Sequence, residues 1–117
     1  MQIESLHTGE HVLSEANGKR SRDTIILNRV VGFIDVGTVL ATLDSPGADG
    51  AWVAYDPAGA DDGRRSAKGV LYAAKNTNGE NTTALAHTRE CELIREQLTG
   101  LDPAAEEELK TLGIILR

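Results

Sequence analysis

Apolar residues in this chain come in short runs cut by Gly, Asp, Asn and Pro, a rhythm that suits strands and turns better than helices. Two runs, Ala51-Trp52-Val53-Ala54-Tyr55 and Gly69-Val70-Leu71-Tyr72-Ala73-Ala74, hold the only Trp and both Tyr residues. They lie too close together to be separate helices and are predicted to be neighbouring strands. Val12-Leu13 leads into the tight-turn signal Asn17-Gly18, and Thr24-Ile25-Ile26-Leu27 is the next strand candidate, ending at Asn28-Arg29. Val30 to Gly37 is β-branched and interrupted by glycine, so it should bend while its apolar side chains pack inward. Thr38 to Leu43 reads as a strand, Asp44 to Gly50 is turn chemistry, and hairpin geometry pairs residues 38–43 with the strand that Trp52 begins. Ala84 to Leu93 alternates as one strand with Leu85, His87, Arg89, Cys91 and Leu93 on one side.

A single helix breaks this pattern near the end. Asp102 is a suitable N-cap, Pro103 suits the first helical position, and Glu106, Glu107 and Glu108 lie near the positive helix end. Ala105, Leu109 and Leu112 make one apolar stripe, Gly113 is a natural C-cap, and Ile114-Ile115-Leu116 follows as a terminal strand. Helix and strand should form a flap over the sheet. The fold class predicted is mainly β with a small C-terminal helix, in one domain, as 117 residues allow.

Composition narrows function by exclusion. A formal charge of −6 disfavours a nucleic-acid binder, which needs a basic face against phosphates. A single Cys cannot form an internal disulfide, and neither an export signal nor a membrane-spanning run is evident. No nucleic acid, membrane or cofactor is therefore expected as a partner. Aromatics make up only 3% of the chain, so the core is modest and would gain from burial on an oligomer or a larger partner.

The candidate chemistry is thin. His7-Thr8-Gly9-Glu10-His11 matches an inverted zinc-protease pattern, but Gly9 interrupts the helix that pattern needs, and surface histidines explain it better. Asp56, Asp61 and Asp62 sit near glycines without the spacing of a calcium loop, so no metal site is expected. Arg64, Arg65 and Lys68 offset these acids and form a candidate two-signed recognition surface. His87 and Cys91 suggest a Cys-His hydrolase pair, though no group is evidently placed to orient the base or activate the thiol. Trp52, Tyr55 and Tyr72 could instead form an exposed platform for a peptide or carbohydrate. Neither pattern is sufficient to make the chain an enzyme or a lectin.

The order and spacing of several segments are more telling together than any is alone. Gly9 to Gly18, Gly37-Thr38-Val39-Leu40, Trp52 to Pro57, Gly69-Val70-Leu71-Tyr72, Thr88-Arg89 and Leu112 to Arg117 resemble the tailed-bacteriophage head decoration proteins, the lambda protein D-like family. That resemblance implies a β-clip or β-tulip-like fold and a late, non-enzymatic structural protein of the virion, made in the host bacterial cytoplasm. It implies a homotrimer on the outer surface of the capsid, at three-fold and quasi-three-fold sites of the expanded head. There it would cement the major capsid protein against the pressure of packaged DNA.

The resemblance also maps an N-terminal capsid-binding arm onto residues 1–14, with Gln2, Ile3, Glu4, Leu6 and His7 as contact residues, ahead of a trimerising domain at 15–117. Val30 to Asp35 is more apolar than the small polar turn the family suggests before Gly37. Val31, Phe33 and Ile34 are therefore candidate trimer contacts, with inward core packing as the alternative.

Overall fold

The fold is built on a closed barrel, one strand of which is apolar on both faces. The computed structural model describes residues 11–15, 21–44, 51–59 and 62–117, the side chains of residues 13 and 14 excepted. The barrel contains β2 (Arg22–Leu27), β4 (Val39–Thr42), β5 (Trp52–Ala54), β6 (Ala67–Leu71) and β8 (Thr82–His87), in the order β2-β5-β4-β6-β8. The expected hairpin is present, with Leu40 opposite Ala54 and Thr42 opposite Trp52. The runs at 51–55 and 69–74 are not neighbours, however, because β4 lies between β5 and β6 and pairs antiparallel with both. Val39, Leu40 and Ala41 are all buried, which is why this strand shows no polar alternation.

Leu40 joins Ile25, Leu27, Leu71, Ala84 and Ala86 in one apolar cluster, while Val39 and Ala41 join a second. The second cluster is closed by the chain's last elements: β9 (Cys91–Leu93), α1 (Pro103–Thr111) and β10 (Ile114–Leu116). α1 begins as predicted, with the Asp102 carboxylate accepting from Ala105 N at 2.7 Å and Pro103 in the first turn. Ala105 and Leu109 are fully buried, and the helix is followed by Gly113 at φ +85°. β10 runs parallel to β9, and β1 (Val12–Glu15) pairs antiparallel on its other side, giving a small sheet in the order β1-β9-β10.

Residues 84–93 are two strands rather than one. Glu90 takes φ +51° between β8 and β9, and the chain passes from the barrel to the small sheet. The phase also differs: Ala84, Ala86 and His87 are buried while Leu85 is exposed, because the small alanines fit the barrel interior. A further correction concerns His11, which is wholly buried rather than a surface residue. Asn78-Gly79 makes a tight turn with φ +50° and +79°, between β7 (Lys75–Asn76) and β8. β7 pairs with β3 (Phe33–Ile34) as a separate two-stranded ribbon.

Candidate docking surface

The segment leading into β3 does not fold wholly inward. Ile34 is 5% exposed and packs in the barrel cluster with Val31 against its edge, so Ile34 is core within a single copy and is unavailable to a neighbour. Val30 and Phe33 point outward, 77% and 67% exposed. Two large apolar groups so placed on one short loop are unusual on a soluble surface that has no partner.

Polar side chains hold this loop in one shape. Asn28 Oδ1 accepts from Val30 N at 3.0 Å, and Asn81 Oδ1 accepts from Arg29 N at 2.9 Å. Buried Thr77 ties the centre: its hydroxyl donates to the Arg29 carbonyl and accepts from Gly32 N, each at 3.0 Å, while its own N–H donates to the Gly32 carbonyl at 3.1 Å. Sequence reasoning missed Thr77 and Val30. The only available signal was that an Asn-Gly turn and an apolar Gly-containing loop could meet, and a linear reading does not reveal such a meeting.

The structure brings two predicted groups together. A depression of about 180 Å³ is lined by Val30, Val31, Val53, Ala54, Asp56 and Arg64, so one candidate trimer contact, Val31, shares it with one candidate recognition residue, Arg64. Arg64 makes a two-pronged pair with Asp62, both contacts at 2.8 Å, and its guanidinium holds the Asp62 carboxyl below the usual range. Arg64 O also accepts from Asp56 N at 2.8 Å, fastening this loop to the strand end after β5. Gly63, at φ +108°, leaves no room for a Cβ against the Thr42 carbonyl, which explains a glycine there. Arg65 is exposed and donates to the Gly59 carbonyl at 2.9 Å. Lys68 projects outward from β6 and does not line the depression.

The remaining candidates are dispersed. Gln2, Ile3, Glu4, Leu6 and His7 lie outside the described residues. Tyr55 is 6% exposed and donates to Asp102, Trp52 packs against the barrel cluster, and Tyr72 stacks edge-on to His87, so the three aromatics share no platform. Burial pushes the Cys91 thiol up to about 12, with the nearby Glu15 charge adding to it. The Nε2 of His87 is engaged by Glu15 at 2.7 Å, which argues against a nucleophilic pair with Cys91. Of the acids near the glycines, Asp56 accepts from Ala58 N and Asp62 pairs with Arg64, so both serve local structure, while Asp61 lies outside the described residues. Among the described residues no group of three or more His, Cys, Asp or Glu could hold a metal ion.

The site is therefore a braced, partly apolar surface with paired charges at its margin. Among curated proteins and solved structures nothing matches the chain. A family model described as bacteriophage lambda head decoration protein D matches residues 1–114. On that near-complete match, the chain belongs to the lambda head decoration protein D family, whose members are structural proteins that decorate phage capsids.

Proposed function

We propose that this decoration protein acts as a homotrimer on the outer surface of the expanded head, cementing neighbouring major capsid proteins at three-fold and quasi-three-fold sites. The observation that carries this reading is the braced loop with Val30 and Phe33 exposed. Burying a ring such as Phe33 against a second copy contributes about 1–2 kcal/mol, and a closed three-fold ring repeats that contact at each interface. Val31 and Val53 floor the adjoining depression, and the Arg64–Asp62 pair supplies a polar margin. Ile34 is no longer part of the proposed contact set.

The capsid arm is proposed for residues 1–10. The boundary moves back from residue 14 because β1 begins at Val12 and the His11 carbonyl accepts from Ile94 N at 2.7 Å, which makes His11 part of the folded sheet. Strand addition to a capsid protein would satisfy backbone groups and bury Ile3 and Leu6.

The test is titration onto undecorated expanded heads, reading bound copies by pelleting and their arrangement by imaging. Three copies per three-fold site are expected. Deleting residues 2–10 should weaken head binding at unchanged melting temperature, and Phe33→Ser should weaken trimer formation likewise. Saturation by single copies would overturn the trimer, and undiminished binding of the truncated chain would overturn the arm.

A further inference from the structure

The two buried histidines serve no part of the docking surface. His11, just before β1, and His87, at the end of β8, are both wholly buried, with ring centroids 5.8 Å apart at 82°. Among the described residues, both ring nitrogens of His11 and the Nδ1 of His87 lack a hydrogen-bond partner. The Nε2 of His87 donates to the Glu15 carboxylate at 2.7 Å. That carboxylate is already shared, since it also accepts from the Ser21 hydroxyl at 2.9 Å and pairs with Arg22 at 2.8 Å. Arg22 lies over the Tyr72 ring at 4.5 Å, and Tyr72 meets His87 edge-on at 5.3 Å. Cys91 stands across the ladder from Glu15 on β9.

We propose that His11, His87 and Glu15 form an acid-released latch, which holds β1 against β9 and the end of β8 at neutral pH and lets that strand open in mild acid while the barrel stays closed. A proton on His11 would enter a buried space in contact with a second imidazole, and one carboxylate cannot neutralise His11, His87 and Arg22 together. β1 is the element able to yield. It is a four-residue strand at the edge of its sheet among the described residues, and its register with β9 shifts between Val12 and Ser14. The barrel strands β2 and β8, in contrast, pair along six residues.

The direction follows from the protonation of each group. Burial, then the neighbouring His87, lowers His11 from 6.5 to about 4, so its contribution is full above pH 6.5 and is lost as pH falls toward 4. His87 is lowered too, chiefly by burial, and acts in the same direction. Burial opposes the Glu15 charge, but the bonds from His87, Arg22 and Ser21 outweigh it and hold the carboxyl at about 2, so Glu15 lets go only in stronger acid.

The latch does not depend on the docking reading and is tested on the isolated chain. Amide hydrogen exchange, corrected for the intrinsic rate, is compared at pH 7.5 and pH 4.5 for β1 and for the barrel strands β4 and β6. Opening β1 lets His11 regain its ordinary proton affinity, which lowers β1 protection by roughly 70-fold at pH 4.5 relative to pH 7.5 while β4 and β6 hold theirs. His11→Phe removes the orphan nitrogens and should flatten most of that change. If the variant does not fold, the wild-type imidazole titration decides, because the His11 ring must titrate well below 6.5 and in step with β1 exchange. Constant β1 protection down to pH 4.5, or simultaneous loss in β1 and the barrel, would overturn the latch.

Discussion

Asp102 holds two parts of the fold at once, and a double-mutant cycle should reveal it. Its Oδ1 caps α1 through Ala105 N at 2.7 Å, and both carboxylate oxygens lie 3.0 Å from the Tyr55 hydroxyl, whose residue is 6% exposed. Asp102→Ala removes the cap, at about 1 kcal/mol. It also strands the Tyr55 hydroxyl in the core, at about 1–3 kcal/mol. The single change should therefore cost about 2–4 kcal/mol, or a melting temperature lower by roughly 10 °C for a chain of this size. Tyr55→Phe removes the donor but leaves the cap intact and should cost only about 1 kcal/mol. With Phe at that position no hydroxyl is left to strand, so adding Asp102→Ala should cost little more than the cap. Urea unfolding of the four proteins gives a coupling of about 1–3 kcal/mol if this is right. Equal costs of Asp102→Ala in both backgrounds would show that the Tyr55 bond contributes nothing and that Asp102 is only a cap.

Gly37→Ala should destabilise the fold by more than about 1 kcal/mol, read by thermal unfolding, because its φ is +83° and a Cβ would sit 2.6 Å from the Gln97 carbonyl oxygen. Leu109→Ala should cost about 2–5 kcal/mol in urea unfolding, since the side chain is fully buried where α1 meets the second core cluster. Cys91 should react with a disulfide reagent at pH 8 at least ~100-fold more slowly in the folded protein than in urea, because the buried thiol is held protonated.

The elements legible in the sequence were those whose signals are local. Asp102, Pro103 and Gly113 fix both ends of α1 through their own backbone chemistry, and the turn-rich sequence between Leu43 and Trp52 anticipates the β4–β5 pairing. What escaped depends on which faces of a strand are covered. The alternation of Leu85, His87, Arg89, Cys91 and Leu93 suggested one strand with these groups on one side, but the barrel interior takes Ala84 and Ala86, and Glu90 carries the chain from β8 into a different sheet. Ile34 and Phe33 are equally apolar neighbours, and only the β3–β7 pairing decides which one faces the core. His11 looked like a surface residue for the same reason: it is buried by β9 and β8, which lie far along the sequence.

Rigidity connects that local chemistry to docking. An exposed apolar loop that had to be ordered on contact would lose about 1–2 kcal/mol per residue of backbone freedom, enough to cancel what burying Phe33 contributes. Here Thr77, Asn28 and Asn81 fix the backbone from Asn28 to Gly32 before any partner arrives. Most of the apolar gain at Val30 and Phe33 is then available to the proposed interface. Thr77→Val keeps the shape but deletes both hydroxyl bonds, so it should weaken self-association although Thr77 touches no proposed partner. Sedimentation of this variant beside Phe33→Ser separates bracing from contact. Association unchanged by Thr77→Val but lost with Phe33→Ser would mean that the apolar contact acts without preorganisation, whereas weakening by both is the result the bracing argument requires.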